Sequence, residues 1–95
     1  MQEKIKLIVS GSSRQLLVAF AVPSVSVHRR ILGDNLRSYR NRAKLTQEKL
    51  AEKAGLSVIF TSLLENGWRT ASIDSLLKIA KALNVELSDL VRGIK

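Results

Sequence analysis

Cysteine is missing from all 95 residues. Its absence removes a disulfide framework, a thiolate nucleophile and any Cys-based zinc or iron-sulfur site together. Stability therefore has to come from packing. Proline occurs once, at Pro23, and 45% of the residues are hydrophobic against 25% charged, so most of the chain is expected to fold. Histidine is also single, at His28, and the acids are scattered along the chain. No nucleophile with its base, no acid pair and no metal cluster can be assembled from these residues, so an enzyme is not expected, nor a cofactor. His28, beside Arg29 and Arg30, reads as an exposed linker residue.

Long apolar runs are absent too. Ile5, Leu7 and Val9 alternate with Lys4, Lys6 and Ile8, Ser10-Gly11-Ser12-Ser13 interrupts, and Leu16 to Val22 is a short run ended by Pro23. Neither piece approaches the roughly 20 residues needed to cross a bilayer, and Gly11, the serines and Arg14 split what a signal peptide would keep continuous. A soluble, cytoplasmic protein without a membrane partner is expected. The pattern of 1–27 suggests two strands joined by a turn, a hairpin that serves as a dimerisation arm, a surface for another protein, or an extension with no role.

Acidic residues are the other scarcity. Eight Asp and Glu face sixteen Lys and Arg, a formal charge of +8. Such a balance attracts polyanions, nucleic acid or anionic membrane, although basic charge can also serve solubility alone. At this length one small domain with a single core is expected: an N-terminal extension over 1–27 and a helical domain over 28–95.

From His28 onward the chain reads as consecutive short helices. Leu32, Leu36, Tyr39 and Ala43 share one face of a first helix, about 33–43, with Arg37, Arg40 and Lys44 on another side. Thr46 caps a second helix from Gln47 to Lys53 or Ala54, with Glu48 in its first turn and Leu45 placed to staple against Leu50. Gly55 supplies the positive φ that ends it, and Ser57 caps a third helix, about 58–66. Ser72 caps a fourth, with Ile73, Leu76, Leu77, Ala80 and Leu83 as its apolar stripe and Asn84 as its C-cap. Ser88 is placed to cap a last short helix through Leu90 and Val91.

The informative unit runs from Thr46 through Gly55-Leu56-Ser57 to Asn66-Gly67. Two helices cross steeply through so short a turn only where a Gly lies in the turn and a small residue sits at their contact. Gly55 and Ala51 meet those needs, and Leu50, Ala54, Leu56 and Leu64 fall where a core shared with the fourth helix would form.

With Leu36-Arg37, Leu45-Thr46-Gln47, Leu50-Ala51, Ala54-Gly55-Leu56-Ser57, Leu64-Glu65-Asn66-Gly67, Arg69, Ser72-Ile73 and the run from Leu76 to Val85, the sequence resembles the Cro/C1-type (XRE) helix-turn-helix family of regulators over about 32–90. The resemblance implies an all-α, five-helix, lambda-repressor-like domain whose third helix enters the major groove of double-stranded DNA. It further implies a homodimer on a near-palindromic operator, acting as a restriction-modification controller or small repressor. Carried over position by position, Thr46 and Gln47 would contact phosphate or a base edge. Ser57, Val58, Ile59, Ser62 and Leu63 would face the groove, and Asn66, Trp68 and Arg69 would lie near the backbone.

Positions 58, 59 and 63, polar or basic in most relatives, carry Val, Ile and Leu here, and Thr61 stands where an apolar β-branched residue is usual. Apolar groups recognise thymine methyls or shape, or else bind protein. Trp68 reads first as a residue packed on the domain's own core, second as a nucleotide contact. Arg37, Arg40, Arg42 and Lys44 read equally as an attractive field or an ordinary solvated face. The dimer surface is expected on helix four and the terminal helix, with Ile79, Val85, Leu87, Val91 and Ile94 partly free of the core, or on the N-terminal arm. The competing function is an antitoxin-type or adaptor protein that binds a toxin or the transcription machinery through the N-terminal arm or the apolar face of helix three.

Overall fold

The computed structural model describes residues 26–95. The expected hairpin in 1–27 falls almost wholly outside them. The described residues form five α-helices and no strand: α1 (Val27–Arg42), α2 (Gln47–Ala54), α3 (Val58–Glu65), α4 (Ile73–Leu83) and α5 (Leu87–Leu90).

The caps that the sequence offers define most of these boundaries. Thr46, Ser57 and Ser72 are extended N-caps whose hydroxyls accept from the backbone N–H of Lys49, Phe60 and Ser75, each satisfying a donor that a helix start leaves free. Gly55 ends α2 at φ 70°, with the Leu56 N–H donating to the Ala51 carbonyl (2.9 Å) and the Gly55 N–H to that of Glu52 (3.2 Å). This pairing turns the chain sharply into α3. Asn84 ends α4 by the same pairing at φ 59°. So does Lys44 after α1, at φ 60°, an unfavourable conformation for a residue with a Cβ.

Two boundaries differ from expectation. The first helix begins at Val27, six residues before Gly33, because Ser26 caps it by accepting from the Arg29 N–H at 3.2 Å. His28 is thus an exposed first-turn residue and not part of a linker. The last helix begins at Leu87 with Glu86 as its N-cap. There the Asp89 carboxylate accepts from the Glu86 N–H at 2.9 Å, and the Ser88 hydroxyl is merely hydrogen-bonded to Glu86.

One core holds the helices together. Leu36, Leu50, Leu64, Ile79 and Leu90, one from each helix, are fully buried. Leu32, Ala54, Leu76, Ala80 and Leu83 surround them, and Leu45 and Leu56 pack from the turns. Helix α2 lies against α3 and α4, while α1 closes over α3 and α5. The approach of α1 to α3 depends on Gly33. A Cβ there would stand 2.5 Å from the Glu65 carbonyl oxygen and 2.6 Å from that of Leu64, well inside contact distance. Asn35 ties the other end of the fold, its amide donating to the carbonyls of Leu90 (2.8 Å) and Arg92 (2.9 Å).

Candidate nucleic-acid interface

Helix α3 advances about 100° per residue, so its eight residues divide into two faces. Thr61, Leu64 and Glu65 point inward and are buried. Val58, Ile59, Ser62 and Leu63 share the outward face. Ile59 is 74% exposed and Val58 40%, whereas Ser62 and Leu63 are half-buried. Ser57 sits exposed at the helix start with its hydroxyl accepting from the Phe60 N–H at 3.0 Å.

Thr61 occupies a site of low polarity, and its hydroxyl needs a partner. It finds one within the helix, donating to the Ser57 carbonyl at 2.9 Å. The residue thereby keeps a β-branched shape in the core without an unpaired polar atom.

The inward face carries an unexpected charge. Glu65 has a side chain with no exposure at all, a situation that is strongly unfavourable for a carboxylate unless it is fully paired. Arg40 meets it with two bonds, Nε to Oε2 at 2.6 Å and Nη2 to Oε1 at 3.1 Å. Gln47 Nε2 donates to Oε1 at 3.0 Å, and Arg37 Nε stands 3.5 Å from the same oxygen. Burial by itself raises the Glu65 pKa. The hydrogen bonds from Arg40 and Gln47 and the charges of Arg40 and Arg37 outweigh it, so the carboxyl is held below its ordinary value and stays ionised.

This cluster joins three helices at one point. Arg40 also donates to the Leu45 carbonyl at 2.8 Å. Arg37 reaches the Glu65 carbonyl at 3.4 Å and the Asn66 Oδ1 at 3.1 Å, and Asn66 Nδ2 donates to the Ser62 carbonyl at 3.0 Å. The start of α2, the end of α3 and the middle of α1 are therefore locked in one geometry. Among the described residues, no buried side-chain nitrogen or oxygen is left without a partner.

Of the residues singled out in the sequence, Ser57, Val58, Ile59, Ser62 and Leu63 come together on one face. Thr46 is exposed at the start of α2, its hydroxyl occupied as a cap acceptor at 3.0 Å. Gln47 and Asn66 are drawn into the Glu65 cluster. Arg69 lies exposed after α3 with its guanidinium 5.6 Å from the centre of the Phe60 ring, close enough for a cation–π contact. Arg42 is placed similarly over Tyr39 at 5.0 Å. Trp68 is 38% exposed. Ile79, expected to lie partly free for a dimer contact, is fully buried. Its position on α4 points at the centre of the bundle, between Leu76 and Leu83.

Glu65 and Arg40 stand in the sequence reading without the structural role they have here, and Gly33 stands there only as a helix boundary. Glu65 follows Thr61 by four positions and Leu64 by one, a spacing that puts it on the inward face, and an inward acid calls for a basic partner.

The comparisons with known proteins agree with this geometry. A helix-turn-helix family model matches residues 36–90. The control protein C.SmaI of Serratia marcescens is 40% identical over 67 residues, 68% of this chain and 80% of its own. The control protein C.BamHI of Bacillus amyloliquefaciens is 38% identical over 64 residues, 66% of this chain and 79% of its own. The crystal structure of the restriction-modification controller protein C.AhdI from Aeromonas hydrophila superposes with a TM-score of 0.67 at 34% identity, covering 68% of this chain and 98% of that one. The chain belongs to the helix-turn-helix family of Cro/C1 (XRE) type and is a DNA-binding transcriptional regulator, not an enzyme.

Proposed function

We propose that the protein is a sequence-specific regulator of the controller type, which binds a near-palindromic operator in double-stranded DNA as a homodimer. The observation that carries this reading is the division of α3. Its inner face is clamped to α1 and α2 through Glu65, and its outer face, with Ile59 74% exposed, is left open. A helix held rigidly by one side and bare on the other suits insertion into a major groove, which admits a single helix.

In this reading Ser57, Val58, Ile59, Ser62 and Leu63 face the bases, while Thr46, Gln47, Asn66 and Arg69 lie toward the phosphates. The charge of +8 supplies the salt-sensitive part of the affinity. One such helix reads too few base pairs for a unique site, and a two-fold dimer on half-sites about one helical turn apart, roughly 34 Å, doubles the information. The α4–α5 side supports the second copy, since Val85, Leu87, Val91 and Ile94 pack on the core while remaining partly exposed. Among the described residues no helix is long and apolar enough to cross a membrane, which accords with action on DNA in the cytoplasm.

The test is a titration of the protein's own promoter fragment and a scrambled fragment over a salt series. The promoter should keep a large preference while both affinities fall steeply with salt. Equal affinity for the two fragments would remove the sequence-specific reading, and a sedimentation mass of one chain on the bound promoter would remove the dimer.

A further inference from the structure

We infer that α3 recognises its operator chiefly through the C5-methyl groups of thymine, with Val58 and Ile59 as the specificity-determining side chains. The inference rests on α3 being the recognition helix and asks what chemistry its face can read.

The side chains that make bidentate contacts to bases are Arg and Lys for guanine, and Asn and Gln for adenine. None of these four stands on the outward face of α3, where Val58, Ile59, Ser62 and Leu63 lie together. The two amides nearest the helix are already engaged. Gln47 Nε2 is held by the Glu65 carboxylate at 3.0 Å. Asn66 donates from Nδ2 to the Ser62 carbonyl at 3.0 Å and accepts from Arg37 on Oδ1 at 3.1 Å. These bonds hold both amides in the Glu65 cluster, so a base contact by either would have to use its remaining N–H and its oxygen from that fixed position. Ser57 Oγ accepts from the Phe60 N–H and keeps its O–H to donate, so Ser57 and Ser62 each offer a base a single hydroxyl oxygen and not the two-atom fork of an amide or guanidinium.

What this face does have is exposed aliphatic surface. Among the groups that base pairs present in the major groove, the thymine C5-methyl is the apolar one. Burying that methyl against Val58 or Ile59 removes hydrocarbon from water on both sides and leaves no polar group unpaired. The surrounding charge favours DNA over an apolar protein surface as the occupant: Arg37 at the Asn66 end of α3 is half exposed, Arg69 follows in the next turn, and the whole chain carries +8.

The experiment begins with a duplex selected by the full-length protein from a random library. That duplex is resynthesised with uracil in place of thymine, which deletes only the methyl. Each contacted methyl should contribute about fourfold in affinity, so the thymine form should bind at least fourfold tighter than the uracil form. In Ile59→Gln the ratio should fall, and in the double variant Val58→Ser with Ile59→Gln it should approach one, with unchanged circular-dichroism melts showing that these exposed substitutions leave the fold intact. A thymine-to-uracil ratio of one in the wild type overturns the inference while leaving the regulator reading in place. A ratio that the double variant does not alter overturns the assignment to this face. A library from which no duplex is enriched over the random pool removes the regulator reading itself, and the inference with it.

Discussion

The two faces of α3 are built on opposite chemical plans. Its inward face, in a hydrophobic interior, carries a hydroxyl and a carboxylate, Thr61 and Glu65, both fully engaged. Its outward face, turned to water and read here as turned to DNA, carries Val58, Ile59 and Leu63. The inversion is physically consistent. Buried polar groups are tolerated where every bond is satisfied, and they then impose one geometry, because any misplacement leaves a charge unpaired. Exposed apolar groups are tolerated when few, and they become useful when a partner offers an apolar group in return. The inner face decides how α3 is held, and the outer face decides what it meets.

Substitutions should separate the two roles. The largest effect on stability is expected for Glu65→Ala, which leaves the Arg40 guanidinium in a largely buried site without its partner. Breaking such a pair costs about 3 to 5 kcal/mol, measurable by urea unfolding, and a loss under about 1 kcal/mol would mean that the cluster is not the anchor described here. Next comes Gly33→Ala. The new Cβ would meet two backbone carbonyl oxygens that cannot rotate away, so a loss of about 2 kcal/mol is expected from overpacking, even though Ala favours helix more than Gly does.

Gln47→Ala removes one hydrogen bond to the buried carboxylate and should lower stability by about 1.5 kcal/mol. It should also weaken operator binding, because the start of α2 is no longer tied to the end of α3. An unchanged melting temperature together with reduced binding would instead place Gln47 directly on the DNA. The smallest effect on stability belongs to Ile59→Gln, within about 0.5 kcal/mol for an exposed site. Its effect on operator preference should nevertheless be large. Equal losses of stability and binding in that variant would erase the distinction between the two faces.

Acid should act on the inner face alone. Glu65 has its pKa lowered from 4.5 in the folded protein, so its contribution to stability is present in full above the unfolded value and is lost as pH falls through the lower, folded value. In thermal melts run down the acid range, the wild type should lose stability below about pH 4.5, and Glu65→Gln should show a shallower decline from a lower starting point. Parallel curves for the two proteins would count against the ionised cluster.

Much of the fold was legible from local chemistry. Thr46, Ser57 and Ser72 as N-caps, Gly55 and Asn84 as left-handed helix ends, and Leu76, Ala80 and Leu83 as the buried stripe of α4 each depend on a few neighbouring residues, whereas Ile73 and Leu77, expected in the same stripe, lie exposed beside it. Two local readings failed where a signal was nevertheless present. Ser26, assigned to the N-terminal extension, is an N-cap residue type and caps α1. Glu86 with Asp89 three residues on has the spacing of reciprocal capping, which wins over Ser88.

From its sequence alone this chain declares an all-helical domain of the helix-turn-helix type, because caps, turn glycines and apolar periodicity act over a handful of residues and need no distant partner. Only the tertiary structure decided that Arg40 is a structural residue and not part of a solvated face, that Gln47 holds a carboxylate, that Ile79 is core, and that Gly33 sets the distance between α1 and α3. Three of those roles depend on one distant residue, Glu65, which stands 18 positions from Gln47, 25 from Arg40 and 32 from Gly33. Spacing can turn Glu65 inward, but it does not say which basic residue meets it until packing brings the two together and the low dielectric of the interior makes the pairing matter.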